Sequence, residues 1–156
     1  MKRKRLIFSE NFNYWRLSAM KKYTGIWIDH REAILVALEG EGCTVEKIES
    51  NADSKLKPSG GWKAGGTIVA QAVTKERTAE EIRKHQYQAF YNEVIKQLAN
   101  PDALVIFGPG EAKIEFAHQL EKSPGLHKKV AAIEKSERLT DNQVIAWVKA
   151  FFSDNR

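Results

Sequence analysis

With 156 residues, 42% of them apolar and 29% charged, the chain is long enough for one globular domain with its own core and too short for two of ordinary size. No apolar run approaches the roughly 18 residues of a membrane-spanning helix, and the single cysteine, Cys43, excludes an internal disulfide and a cysteine-based zinc cluster and fits a reducing, cytoplasmic location. The net charge of +5 belongs to the amino terminus: residues 1–22 hold Lys2, Arg3, Lys4, Arg5, Arg16, Lys21 and Lys22 against Glu10 alone, and the rest of the chain is close to neutral.

That basic start suits phosphate backbones. Its only apolar run, Leu6-Ile7-Phe8, is too short for the h-region of a signal peptide. Residues 1–19 are expected to form a disordered arm, or to precede the true start if that is Met20. The domain itself is expected over 20–156.

"YTGIWID" (23–29) and "AILVALEG" (33–40) are β-rich runs separated by the polar turn "DHRE", which predicts a hairpin. After "GEG" at 40–42, "CTVEKIES" mixes Cys43, Val45 and Ile48 with polar residues, as a more exposed third strand would. Residues 51–75 show no periodicity and read as one long loop, holding "KPSGGWKAGG" at 57–66. Loops beyond about 12 to 15 residues in a compact domain tend to be functional or disordered.

Thr78 followed by Glu81 has the spacing of a capping box, and Tyr87, Phe90, Tyr91, Val94 and Leu98 recur at helical spacing up to Asn100-Pro101. "ALVIFG" (103–108) predicts a buried parallel strand. "PGEAKIEFAHQLEK" predicts a helix ended by Ser123-Pro124-Gly125, and "KVAAIE" a last strand. A second capping box, Thr140 to Gln143, opens a helix whose buried face is expected to carry Val144, Val148 and Phe151. The order is βββ, loop, αβαβα. Short turns join the first three strands antiparallel, and helical crossovers place the others parallel, giving a five-stranded mixed sheet (βββαβαβα) flanked by helices. This is the pattern of the ribonuclease H-like fold.

The chemistry of that fold is not matched. Two-metal phosphodiester cleavage needs convergent carboxylates. Asp29 is suitably placed, but the fourth strand ends in Phe107-Gly108 without an acid, so Asp29 reads as a turn residue. "GPGEAK" (108–113) fails the nucleotide motifs, because Lys113 occupies the third-glycine position of GxGxxG and Glu111 would repel a phosphate. His30, His85, His118 and His127 lack metal-ligand spacing, and Ser59 has no evident base. No catalytic residue, metal or cofactor is assigned. Trp27 and Trp147 lie on periodic elements and read as packing residues. Trp62, in the glycine-rich loop among lysines, can either stack on a base or fold back onto the domain.

"GPGEAKIEF" (108–116) resembles the GPGxxKxxF segment of the central domain of eukaryotic and archaeal class 1 release factors and of Pelota; its carriers here are Gly108, Pro109, Gly110, Lys113 and Phe116. "GIWIDHREAILVAL" and "RKHQYQAFYNEVIKQL" are similar to the start and the long first helix of that domain. The resemblance covers about residues 22–153 and implies a bacterial-type, single-domain relative that binds the ribosome, rRNA or tRNA. In the release factors, the loop between the third strand and the first helix carries Gly-Gly-Gln, which promotes peptidyl-tRNA hydrolysis. Gly60 and Gly61 match the glycines, whereas Trp62 replaces the glutamine that helps order the attacking water.

The resemblance therefore implies an RNA-binding loop of Lys55, Lys57, Gly60, Gly61, Trp62 and Lys63 without catalysis. A peptidyl-tRNA hydrolase using the atypical loop and a protein-interaction module that no longer touches RNA remain the alternatives. The family's decoding and partner-binding domains are not matched, so neither stop-codon reading nor GTPase recruitment is expected of this chain.

Overall fold

The computed structural model describes residues 21–52 and 68–154, with the backbone alone over 68–75. The elements run β1 (Lys22–Ile28), β2 (Glu32–Glu39), β3 (Gly42–Glu49), α1 (Ile68–Lys96), β4 (Ala103–Gly108), α2 (Ala112–Leu120), α3 (Pro124–His127), β5 (Val130–Lys135) and α4 (Asp141–Asp154). The sheet order is β3-β2-β1-β4-β5. β1 pairs antiparallel with β2 and β2 with β3, while β4 runs parallel to both β1 and β5. The five-stranded mixed sheet flanked by helices expected from the sequence is thus the observed architecture.

Local chemistry accounts for the turns. Asp29 Oδ1 accepts hydrogen bonds from the amides of Arg31 and Glu32, both at 2.8 Å, which closes the β1–β2 connection. Gly40, at φ 60°, opens the two-residue turn between the paired Glu39 and Gly42. Thr140 and Gln143 form the expected reciprocal cap: the Gln143 amide donates to Thr140 Oγ1 at 3.3 Å and the Thr140 amide to Gln143 Oε1 at 2.9 Å.

Alternation along the strands builds a core on each face of the sheet. Ile26, Ile28, Leu35, Leu104 and Ile106 pack against Phe90, Tyr91 and Val94 of α1 and Phe116 and Leu120 of α2. Trp27, Ile34, Val36, Val105 and Phe107 pack against Val144, Val148 and Phe152 of α4. Covering both faces is what lets β4 be apolar at every position. The third strand is exposed nearly throughout, as its mixed pattern predicts.

Four expectations are corrected. α1 begins at Ile68, so residues 68–75 are helical and not loop; no glycine or proline lies between 67 and 100 to stop the helix extending backwards. Thr78 consequently lies inside α1 and not at its start, since the spacing of a capping box also occurs along a helix interior. On α4 the buried aromatic is Phe152, four residues beyond Val148, and Phe151 is only partly covered. Finally, the helix after the GPG turn stops at Leu120, and Pro124 starts the separate turn of α3.

Candidate functional site

α1 has 29 residues, about 40 Å at 1.5 Å per residue. Among its described side chains, Phe90, Tyr91 and Val94 near the carboxy-terminal end are buried, while those from 76 to 85 are exposed at all but one position. The described anchorage of the helix thus lies in its carboxy-terminal part. On the other side, the chain leaves β3 along the β1–β2 turn. The Ser50 amide donates to the Arg31 carbonyl at 2.8 Å, and Ser50 Oγ donates to the His30 carbonyl at 2.6 Å. Ala52 is buried, with 1% of its surface exposed. The segment thus departs beside the carboxy-terminal end of β1, the end of an α/β sheet where ligand crevices form.

Lys55, Lys57, Gly60, Gly61, Trp62 and Lys63 lie outside the described residues. The GPG-motif residues are described, and each has a local structural task. Gly108 has φ 154°, and a Cβ there would sit 2.2 Å from the Ile28 carbonyl oxygen, so β1 and β4 converge on a position that only glycine fills. Gly110 takes φ 64° in the turn, and Lys113 Nζ donates to its carbonyl oxygen. Phe116 is fully buried, edge-on to Tyr91 with ring centroids 6.0 Å apart.

The motif also delivers Glu115, which sequence reasoning passed over. Glu115 Oε2 accepts the Tyr91 hydroxyl at 2.6 Å and lies 3.0 Å from His30 Nε2. His30 in turn stacks on Tyr87, with centroids 4.6 Å apart. One carboxylate thus joins the β1–β2 turn, α1 and α2. Burial pushes the Tyr91 phenol above its ordinary range, and the hydrogen bond and charge of Glu115 add to the effect. Helical spacing marks Tyr87 and Tyr91 as one face of α1, but nothing in the sequence brings His30 to that face or names Glu115 as the shared partner. Beside it, a cleft of about 460 Å³ opens between α1 and α2, bordered by Arg83, Lys84, Tyr87, His118 and Lys122 among others.

At the loop exit itself, a second cleft of about 310 Å³ is lined by Arg31, Glu32, Glu49, Ser50, Asn51, Ala52 and Arg138. Glu32 is engaged by Lys47 at 3.2 Å, and Lys47 also approaches Asp141 at 3.7 Å. The hydrogen bond and charge of Glu32 raise the Lys47 ammonium above its ordinary value. Trp27, fully buried, donates its indole N–H to Ser136 Oγ and to the Glu137 carbonyl, both at 3.2 Å. Trp147 stacks on Phe107 at 3.8 Å. Both tryptophans are packing residues, as their periodicity indicates.

Among the described residues, no three His, Cys, Asp or Glu side chains converge as a metal-ligand set. No described helix is long and apolar enough to cross a membrane. Asp29 is committed to its turn amides, in keeping with the turn reading.

No protein-family model and no curated protein matches the chain. Solved structures do. The Thermoplasma acidophilum Pelota protein superimposes with a TM-score of 0.52 at 14% identity, over 90% of this chain and 37% of that one. An archaeal translation termination factor gives 0.48 at 16% identity, over 86% of this chain and 40% of its own, and the Archaeoglobus fulgidus Pelota 0.48 at 17%, over 94% and 35%. The chain spans well under half the length of each of these proteins. The fold is that of a Pelota-like domain, the one to which the GPGxxKxxF resemblance pointed.

Proposed function

We propose that this chain is a translation-linked domain that binds the ribosome, through rRNA or tRNA, by its glycine-rich segment and does not hydrolyse peptidyl-tRNA. The observation that carries the reading is the departure of that segment from the carboxy-terminal end of β1, tied there by Ser50 to His30 and Arg31, in a domain whose fold is similar to Pelota over 90% of its length. Lys55, Lys57 and Lys63 supply cations for phosphates, Gly60 and Gly61 allow close backbone approach, and Trp62 supplies a stacking surface.

Trp62 stands where the resemblance would require glutamine, and an indole has a single N–H donor and no acceptor with which to orient an attacking water. Binding without hydrolysis follows. A cytoplasmic location and a single working domain over 20–156 belong to the same proposal. Co-sedimentation with ribosomes at low salt, weakened by charge reversal at Lys55, Lys57 and Lys63, is the test. Peptide release from loaded tRNA that is lost in Gly61→Ala would instead identify a hydrolase, and nuclease-resistant capture of one protein partner an interaction module.

A further inference from the structure

Beside the last described residues before the glycine-rich segment stand two arginines, Arg31 and Arg138, whose guanidinium groups have no partner among the described residues. The backbone of Arg31 is held from both sides: its amide donates to Asp29 Oδ1 at 2.8 Å, and its carbonyl accepts the Ser50 amide at 2.8 Å. Arg138 follows Ser136 and Glu137, the two residues gripped by the buried indole of Trp27. These two anchors come from opposite ends of the chain, yet both arginines line the same cleft of about 310 Å³.

Neither guanidinium makes an ion pair or side-chain hydrogen bond among the described residues. The acids nearest in the fold are mostly committed elsewhere: Asp29 to the turn amides, Glu32 and Asp141 to Lys47. Glu49 is the carboxylate left on the cleft wall. Two guanidinium forks, with their donors unspent among the described residues, match the oxygens of a phosphate better than ammonium groups do. Because the Arg31 backbone is already held on both sides, closing on an anion there costs mainly side-chain freedom.

We infer that Arg31 and Arg138 form a phosphate clamp for an RNA backbone at the base of the glycine-rich segment. The inference rests on the RNA-binding reading above and adds to it a site on the folded body. The clamp fixes the position of the RNA strand relative to the sheet, while the segment beyond Ala52 makes its own contacts. It carries no sequence preference, since it meets phosphates and not base edges.

The test is fluorescence anisotropy with deacylated tRNA and the full chain, starting at about 50 mM salt, where phosphate contacts dominate. Arg31→Gln and Arg138→Gln should each weaken binding on the order of tenfold, as loss of a charge-assisted hydrogen bond does. Each should also lower the slope of log affinity against log salt by about one. Arg31→Lys, which keeps the charge but not the fork, should fall between, and Glu49→Gln should tighten binding. Lys122→Gln, in the separate cleft between α1 and α2, should change affinity by less than about twofold.

If the wild-type chain binds tRNA and both arginine variants bind as well as it does, the clamp is refuted and the proposed function stands. No binding of tRNA by the wild type refutes the clamp as an RNA site, and ribosome sedimentation then decides the proposed function separately. Equal losses in Lys122→Gln and the arginine variants would show diffuse charge attraction and also refute it.

Discussion

The Tyr91 hydroxyl donates to Glu115 Oε2 at 2.6 Å, joining the long helix to the helix of the GPG motif through a phenol that is 2% exposed. The bond ties a buried stretch of α1 to α2, and it puts a titratable group where its charged form is unwelcome. Burial and the adjacent carboxylate raise the phenol's pKa, so the folded protein keeps the proton that the unfolded chain releases from about pH 10 upward. The stabilisation is fully present below pH 10 and is lost as the pH rises towards the folded-state value. Urea unfolding at a series of pH values is expected to show this alkaline loss in the wild type and a shallower one in Tyr91→Phe. At neutral pH, Tyr91→Phe should cost about 1 kcal/mol, because Glu115 is partly solvated and recovers water.

At Gly25 the sheet comes close against Val148 of α4. A Cβ on this residue would lie 2.2 Å from Val148 Cγ2 and 2.8 Å from Cγ1. Valine on a helix is confined to one main rotamer and cannot turn away. Gly25→Ala should therefore destabilise by about 1 to 3 kcal/mol. The clash also predicts coupling: in a cycle with Val148→Ala, the double variant should be more stable than the sum of the single effects by about 1 kcal/mol. Strict additivity would show that the sheet and α4 separate freely.

Gly108 and Gly110 sit in one motif and predict different outcomes. At Gly108 the obstacle is the Ile28 backbone carbonyl, which belongs to the central strand and has nowhere to go. Gly108→Ala should leave little soluble folded protein. At Gly110 nothing lies within 4 Å of an added Cβ, so only the left-handed backbone at φ 64° opposes a side chain. Gly110→Ala should fold and lose about 1 to 2 kcal/mol. Circular dichroism and thermal midpoints of the two variants decide the matter.

Legibility followed the strength of the local signal. β4 was readable to the residue because a continuous apolar run bounded by Pro101 and Gly108 has one economical interpretation, and the Thr140–Gln143 cap was readable because a reciprocal pair is written in two residues. The start of α1 was not: Ile68 to Lys75 follow closely on Gly65-Gly66 and read as part of the glycine-rich loop, and the mid-helical Thr78–Glu81 pair imitates a beginning. The partner of Tyr91 and His30 was hidden for a different reason. Glu115 reaches them only after α2 folds across the sheet, a contact of 24 and 85 positions in sequence. The two arginines were equally invisible, since 31 and 138 meet only through the sheet order. The lysines and Trp62 of the glycine-rich segment lie outside the described residues; Ser50 and Ala52 fix only where the chain leaves the sheet, beside the β1–β2 turn.

Binding of the ribosome by the glycine-rich segment is the core of the proposed function. Its most direct measurement is co-sedimentation of the intact chain with ribosomes at low salt, comparing the wild type with a variant in which Lys55, Lys57 and Lys63 are each changed to Glu. Recovery of the wild type in the ribosomal pellet, with at least about a tenfold loss in the variant and a steep salt dependence in the wild type, is the predicted result. A wild type that stays in the supernatant, or a variant that pellets as well as the wild type, would contradict it.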